Sequence, residues 1–136
     1  MADLRVNLCG KTLASPVIAA SGTFGFGVEY ENIVDLKKLG AVSGKGLTLE
    51  GKYGNEGERL WETPSGLINS IGLQNPGVQH FIDNELPDML GMGCAAMANL
   101  GGSTIETYEE GARLLDKTAI DFIELNISCP NVKAGG

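Results

Sequence analysis

The residues best suited to chemistry follow an apolar run near the end of the chain. Residues 122–127 carry the β-branched and aromatic side chains typical of a strand, and Pro130 cannot continue a central strand. Cys129 is therefore expected where the strand opens into a loop, with Asn126 and Asn131 as polar neighbours. A lone cysteine is commonly an inert buried side chain, but the polar neighbours of Cys129 and the rest of the chain favour a functional role.

Earlier parts of the chain repeat this arrangement of an apolar strand that ends at polar groups. The predicted strands cover residues 16–20, 41–46, 94–99 and 121–125. The polar side chains at or just beyond their ends are Ser21, Lys45, Asn99 and then Asn126 with Cys129. In a parallel α/β barrel the carboxyl ends of the strands carry the active site, so these side chains are expected to converge.

Two of the segments between the strands predict amphipathic helices. Residues 29–39 have apolar side chains at helical spacing, with Gly40 as the C-terminal cap. The next helix is expected to hold Pro76 in its first turn and to leave His80 on the surface. Its predicted inner face consists of Val78, Phe81, Ile82 and Leu86.

A third helix is predicted after residue 102. Ser103 or Thr104 can cap it, and Glu106 falls in its first turn. Its residues available for packing are Ile105, Tyr108, Leu114 and Leu115. The alternation of strands and helices predicts an α/β fold with parallel strands and right-handed crossovers.

The remaining segments are predicted to decorate this core. Residues 4–8 and 12–15 form an N-terminal β-hairpin. Residues 48–63 are polar and broken by glycines, which indicates a β-excursion or lid above the rim. Residues 69–77 place amide, hydroxyl and backbone groups in one turn, a suitable shape for a small planar polar ligand.

Composition excludes several classes of function. The net charge of −7 and the absence of a lysine or arginine cluster argue against nucleic acid binding. The N-terminus has no long apolar run, so neither a signal peptide nor a membrane anchor is predicted. Three separated cysteines fit reduced thiols in a cytoplasm, and a single histidine makes a zinc site an unfavourable interpretation.

Four motifs together resemble a known enzyme family. They cover residues 20–25 (ASGTFG), 44–51 (GKGLTLEG), 69–76 (NSIGLQNP) and 124–132 (ELNISCPNV). With these motifs the chain resembles the N-terminal half of the class 1 dihydroorotate dehydrogenases, particularly the NAD-linked subgroup. The resemblance implies an FMN-binding, cytoplasmic barrel that oxidises dihydroorotate to orotate in pyrimidine synthesis.

The resemblance also implies roles for individual residues. The expected FMN contacts are Ser21, Lys45, Gly46, Asn99 and Asn126. The expected substrate contacts are Lys45, Asn69, Ser70, Ile71, Gly72, Leu73, Asn126 and Asn131. Cys129 would be the catalytic base. The implied assembly is a homodimer joined to an electron-transfer subunit that carries FAD and an iron–sulfur cluster, forming a heterotetramer.

These residue types suit the reaction. Oxidation of the dihydroorotate ring moves a hydride from one ring carbon to the flavin and a proton from the adjacent ring carbon to a base. Cys129 is a base only as a thiolate, and since a free thiol titrates near pH ~8.5, activity is expected to rise with pH. Lys45 can neutralise the carboxylate of the substrate or the reduced flavin.

The length predicts only part of such a fold. A complete eight-fold barrel needs about 250 residues, whereas residues 1–136 are expected to form one partial domain, the first four βα units with an N-terminal hairpin. Several alternatives stay open. They are a fumarate-linked class 1 enzyme, a flavin domain similar to that of dihydropyrimidine dehydrogenase, a barrel lyase that uses Lys45, and an inactive half-barrel that serves as a binding module.

Overall fold

The centre of the fold is a sheet of four parallel strands. The computed structural model describes residues 2–127. Its strands are β1 Val6–Leu8, β2 Lys11–Leu13, β3 Ile18–Ala19, β4 Ala41–Ser43, β5 Glu50–Lys52, β6 Leu60–Thr63, β7 Gly66–Asn69, β8 Asn75–Gly77, β9 Ala95–Gly101 and β10 Phe122–Asn126. Its α-helices are α1 Val78–Asn84, α2 Leu86–Gly91 and α3 Ile105–Asp116.

The central sheet has the strand order β10-β9-β4-β3, and all three pairings are parallel. Each strand therefore lies beside the parallel strand that precedes or follows it in the chain. The longest pairing, between β9 and β10, sets Asn99 opposite Glu124 and Gly101 opposite Asn126. The predicted α/β fold with parallel strands is confirmed.

The two faces of the sheet are packed differently. On one face Val42, Ala96 and Leu100 are fully buried in the main core, which also includes Phe81 and Leu115 of the helices. Because side chains alternate along a strand, the intervening residues point to the other face. A second, smaller apolar cluster lies at the amino end of that face, where Leu13 packs with Ala41 and Ala95.

The N-terminal strands β1 and β2 form the element that covers this end. They pair antiparallel, with Val6 opposite Leu13. A salt bridge between Lys11 and Asp121 ties β2 to the start of β10, and Asp121 Oδ2 also accepts a hydrogen bond of 2.8 Å from the backbone of Ala96. The hairpin is therefore fixed to the start of β10 and, through Asp121, to β9.

The predicted β-excursion is present between β4 and α1. Strand β5 pairs antiparallel with β8, and β6 pairs with β7 as a hairpin. Asn75, only 7% exposed, joins the β5 side to the β8 side, since its Oδ1 accepts from the backbones of Thr48 and Gly77 at 3.0 and 2.9 Å. Its Nδ2 donates to the backbone oxygen of Leu73 at 2.8 Å.

The prediction of a helix over residues 29–39 is wrong. The structure has two short 3₁₀ helices instead, Val28–Tyr30 and Leu36–Lys38. Leu36 is buried, but Ile33 is 78% exposed, so the apolar residues do not share one buried face. Asp35 is extended and interrupts the segment.

Gly40 is consequently no helix cap. Its amide donates to the backbone oxygen of Val17 at 2.8 Å, and its own oxygen accepts from Ala95 at 3.2 Å. A Cβ at Gly40 would overlap the backbone oxygen of Ser15. Glycine is needed there because two backbone segments meet at that position.

The second predicted helix is divided and starts later than expected. Pro76 lies in β8, not in the first turn of α1, because Asn75 holds this segment against β5. The chain bends at Glu85, and Pro87, which lacks a backbone donor, stands in the first turn of α2. Leu86 is buried as expected but belongs to α2, and Val78 and Phe81 are fully buried.

Helix α3 is close to its prediction. Thr104 is the N-cap: its side chain accepts from the amide of Thr107, and the Thr107 hydroxyl reciprocates as a capping box. Glu106 lies in the first turn, where hydrogen bonds from its own backbone and from Thr104 lower the pKa of its carboxyl. Leu115 is fully buried, but Ile105 is 73% exposed and does not pack.

His80 lies on the surface as predicted, with Glu85 as a carboxylate neighbour at 3.3 Å that the sequence did not indicate.

No helix within residues 2–127 is both long enough and apolar enough to cross a membrane.

Gly40→Ala should lower the free energy of unfolding by about 1–3 kcal/mol, because the new methyl group forces apart the backbones at Gly40 and Ser15. The matched control is Gly91→Ala in α2, where a Cβ meets nothing within 4 Å. That substitution should be neutral or stabilising by up to about 1 kcal/mol. Denaturant midpoints of the full-length variants measure both effects, and equal midpoints would contradict the packing described for Gly40.

Candidate active site at the carboxyl ends of the parallel strands

A polar cleft lies at the carboxyl edge of the central sheet. It has a volume of about 230 Å³, and its lining residues are Ser21, Gly22, Lys45, Gly46, Asn69, Ile71, Gly72, Leu73 and Asn126. Ser21 follows β3, Lys45 follows β4 and Asn126 ends β10, so strand ends supply one side of the cleft. The turn after β7 supplies the other side.

Lys45 is the positive charge of this cleft. Its side chain is half-buried, and within the described part of the chain it forms no salt bridge with a carboxylate. It also borders a second, more open hollow of about 510 Å³, which Glu29, Lys52 and Tyr53 help to line. A partly desolvated ammonium without a carboxylate partner favours an anionic ligand.

Two asparagines and a glutamate form a network across the sheet at the cleft. Asn126 Nδ2 donates to Asn99 Oδ1 at 3.2 Å, and Asn99 Nδ2 donates to Glu124 Oε2 at 2.7 Å. The same Glu124 oxygen accepts from the Ser43 hydroxyl at 2.7 Å. In addition, the Tyr108 hydroxyl donates to the backbone oxygen of Asn126, which ties the end of β10 to α3.

The turn that faces these strands is held by a second set of amides. Asn55 Nδ2 donates to both the backbone oxygen and the hydroxyl of Ser70, at 3.2 and 2.8 Å. Gly72 and Leu73 both have positive φ, 75° and 55° respectively. Leu73 is a bulky residue in a left-handed conformation, and the hydrogen bond from Asn75 to its backbone oxygen supports it there.

Gly46 allows the two sides of the cleft to approach. A Cβ at this position would lie 3.0 Å from both Asn99 Oδ1 and Leu73 Cδ1. At Gly101 nearby, a Cβ would meet its closest atom, the backbone oxygen of Leu47, at an ordinary 3.5 Å. A side chain at Gly46 would therefore press on the asparagine network, whereas one at Gly101 would not.

Eight of the twelve residues predicted for the site line this cleft. They are Ser21, Lys45, Gly46, Asn69, Ile71, Gly72, Leu73 and Asn126. Asn99 is 5% exposed and supports Asn126 instead of lining the cleft, and the Ser70 hydroxyl is occupied by Asn55. Cys129 and Asn131, like Ser128, lie outside the described residues.

The other two cysteines are away from the cleft. Cys9 is exposed in the N-terminal hairpin, and Cys94 precedes β9 at the amino end of the sheet. Burial raises the pKa of the Cys94 thiol, which keeps it protonated and unreactive at neutral pH.

Several residues that shape the cleft were not predicted to belong to it. Glu124 could have been found, because it stands two residues before Asn126 and so points to the same face of β10. Gly22 directly follows Ser21 in the chain. Asn55 and Tyr108 are distant in sequence from their partners, and no local pattern marks them.

Comparison with known proteins assigns the family. An α/β fold with a polar cleft at the carboxyl edge of parallel strands is typical of enzymes of the barrel and doubly wound classes. The family model for dihydroorotate dehydrogenase matches residues 3–136. The chain belongs to this family.

Individual relatives agree with the assignment. The chain is 52% identical over 136 residues to the dihydroorotate dehydrogenase B (NAD(+)) catalytic subunit of Petrotoga mobilis, and covers 45% of that protein. It is 50% identical over 134 residues to the protein of the same name from Thermoanaerobacter pseudethanolicus, and covers 44% of it. The chain thus spans less than half the length of these curated relatives.

A solved structure supports the fold. DHODH from Eimeria tenella, crystallised with ferulenol, superposes with a TM-score of 0.69 at 24% identity. The match covers 96% of this chain and 38% of that one. At this level of identity the likeness concerns the fold alone.

Proposed function

We propose that residues 1–136 are a partial domain, the N-terminal half of a parallel (β/α)₈ barrel with an N-terminal hairpin. Three features support this. The four parallel strands follow one another in chain order, as barrel strands do. The sheet face opposite the helices carries polar side chains such as Glu124, and the relatives are about twice as long. One connection departs from the regular barrel: the segment between β3 and β4 has 3₁₀ turns where a regular βα unit has an α-helix.

We propose that the complete protein oxidises dihydroorotate to orotate in pyrimidine synthesis. The observation that carries this proposal is the half-buried Lys45, which has no carboxylate partner in the described part of the chain and shares its cleft with two asparagine amides. Dihydroorotate is a small six-membered ring with amide N–H and C=O groups and one carboxylate, and its oxidation product, orotate, is planar. A single cation surrounded by amides matches that distribution of charge and hydrogen-bond groups.

The residues of the cleft also suit the ring system of FMN. Gly22, Gly46 and Gly72 leave its walls free of side chains at three positions, so that a flat ring can approach the backbone. Ser21 supplies a hydroxyl, Lys45 an ammonium, and Asn126 an amide. When bound, FMN would supply the acceptor for the hydride. The phosphate of FMN would be held elsewhere, since phosphate sites of such barrels come from the last strands.

The chain's own residues then have distinct tasks. Lys45 binds the substrate carboxylate or neutralises charge on the reduced flavin. The ring is oriented by Asn69, the backbone of residues 71–73 and Asn126. Asn131 joins them as the family resemblance implies. Cys129, as a thiolate, removes the proton from the carbon next to the one that loses hydride. Ser21, Gly46 and Asn126 contact the flavin, and Asn99 acts through Asn126.

The proposed electron acceptor is NAD, reached through a partner subunit that carries FAD and an iron–sulfur cluster, in a cytoplasmic heterotetramer built on a homodimer of catalytic chains. The names of the two relatives support this assignment, because both are catalytic subunits of NAD(+) enzymes. The word subunit in those names fits a partner chain.

Gly46→Ala should weaken the binding of FMN and orotate to the full-length protein. The added methyl group displaces Asn99 or Leu73, and a cost of about 1.4 kcal/mol corresponds to a tenfold rise in dissociation constant. Gly101→Ala is the matched control, since its methyl group makes ordinary contacts in the same region. Fluorescence titration of the flavin measures both. If the two variants bind alike, the proposed position of the flavin is wrong.

Cys129→Ser should reduce the turnover of dihydroorotate by about 100-fold or more, because a serine hydroxyl is far harder to ionise at neutral pH. Flavin content should be unchanged. Cys94→Ser is the control, since Cys94 lies at the opposite end of the sheet and should leave turnover intact. Steady-state assays with NAD as acceptor test both variants. Near-normal turnover in Cys129→Ser removes this residue from the mechanism, and a wild-type protein that reduces uracil instead refutes the proposed substrate.

A further inference from the structure

Glu124 lies at the centre of a hydrogen-bond network to which neither the proposed reaction nor the family resemblance assigns a role. Its Oε2 atom accepts from Ser43 on β4 and from Asn99 on β9, both at 2.7 Å, while Glu124 itself lies on β10. One carboxylate oxygen therefore connects three adjacent strands directly below the cleft residue Asn126.

The chemistry of these groups fixes the direction of each hydrogen bond. A carboxylate oxygen accepts, so the side of the Asn99 amide that faces Glu124 must be the NH₂ group. The carbonyl Oδ1 of Asn99 consequently faces Asn126 and can only accept. Asn126 must then turn its own NH₂ group toward Asn99, which leaves its Oδ1 for the cleft.

We propose that Glu124 is a positioning residue that sets the orientation of the Asn126 amide and thereby selects ligands with a ring N–H. This inference rests on the proposed function, because it concerns the ligand of the same cleft. No donor in the described part of the chain reaches Asn126 Oδ1, so that oxygen is free to accept from a ligand. Dihydroorotate and orotate both offer ring N–H groups.

The register of the strands explains why this position is suited to the task. Glu124 is directly opposite Asn99 in the β9–β10 pairing and two residues before Asn126 on the same strand face. Ser43 provides a second donor to the same oxygen, which holds the carboxylate in place. Neither Asn99 nor Asn126 carries a charge, so the carboxylate alone breaks the symmetry between the two orientations of the amide pair.

The test is a comparison of ligands and variants in the full-length protein. Calorimetry gives dissociation constants for orotate, 1-methylorotate and 3-methylorotate. In the wild type, methylation of the nitrogen that meets Asn126 should weaken binding at least tenfold relative to orotate. We define the discrimination as the ratio of the dissociation constants of the methylated ligand and orotate. In Glu124→Met, whose side chain has a similar length but no acceptor oxygen, this ratio should fall at least fivefold, because the asparagine pair can adopt either orientation.

Two controls separate positioning from simple structural damage. Glu124→Gln keeps the size and polarity of Glu124 but can turn either its oxygen or its NH₂ group toward Asn99, so it should lower the discrimination as Glu124→Met does. Ser43→Ala removes a donor to Glu124 without touching the asparagine pair, and it should keep the discrimination within about twofold of the wild type. If Glu124→Met does not fold, Glu124→Lys replaces the acceptor with a donor and should abolish the discrimination.

The outcomes distinguish this inference from the proposed function. A wild-type protein that binds none of the three compounds overturns the proposed function, and this inference with it. A wild type that binds all three equally overturns the inference alone. A uniform weakening of all three ligands in Glu124→Met or Glu124→Lys also overturns the inference. If the substitution only damages the structure, or if the methyl group of the ligand only clashes sterically, the ratio of the dissociation constants of the methylated ligand and orotate stays as in the wild type.

Discussion

The parallel pairing of β4, β9 and β10 is the constraint on which the candidate site depends. It places Ser43 and Asn99 within hydrogen-bond distance of Glu124 and brings Asn126 to the edge of the sheet. Because side chains alternate along a strand, a slip of one residue in β10 would turn Glu124 and Asn126 to the opposite face. The apolar residues of the other face prevent such a slip, since Ala98 and Leu100 are buried beneath α3 and Ile123 packs against the same core.

The same alternation divides the sheet into a structural face and a functional face. The helices pack against one face, where Val42, Ala98 and Leu100 are buried, while the N-terminal hairpin packs against the amino end of the other face. Polar side chains are tolerated on the second face because they satisfy one another, as Ser43, Asn99, Asn126 and Glu124 do. In the proposed complete barrel this face would be enclosed, and the network around Glu124 would then lie in a low-dielectric interior where hydrogen bonds are stronger.

Sequence predicted the parts of this arrangement that depend on local patterns. Four apolar runs followed by polar residues were sufficient to predict parallel strands and to select Ser21, Lys45 and Asn126, which line one cleft. The prediction of a helix over residues 29–39 failed although the apolar spacing of this segment is helical. In the structure Asp35 is extended and interrupts the segment, and Gly40 packs closely against the backbone of Ser15. The supporting roles of Asn55 and Asn75 could not be predicted, because their distant partners Ser70 and Thr48 are brought near only by the β-excursion.

The central claim is that the strand ends of this chain form part of a flavin site that accepts dihydroorotate. The most direct test is the visible absorption spectrum of the full-length protein under anaerobic conditions, before and after dihydroorotate is added. The account predicts a yellow protein with flavin absorption bands that bleach on addition of dihydroorotate. A colourless full-length protein, or a flavin spectrum that dihydroorotate leaves unchanged, would contradict it.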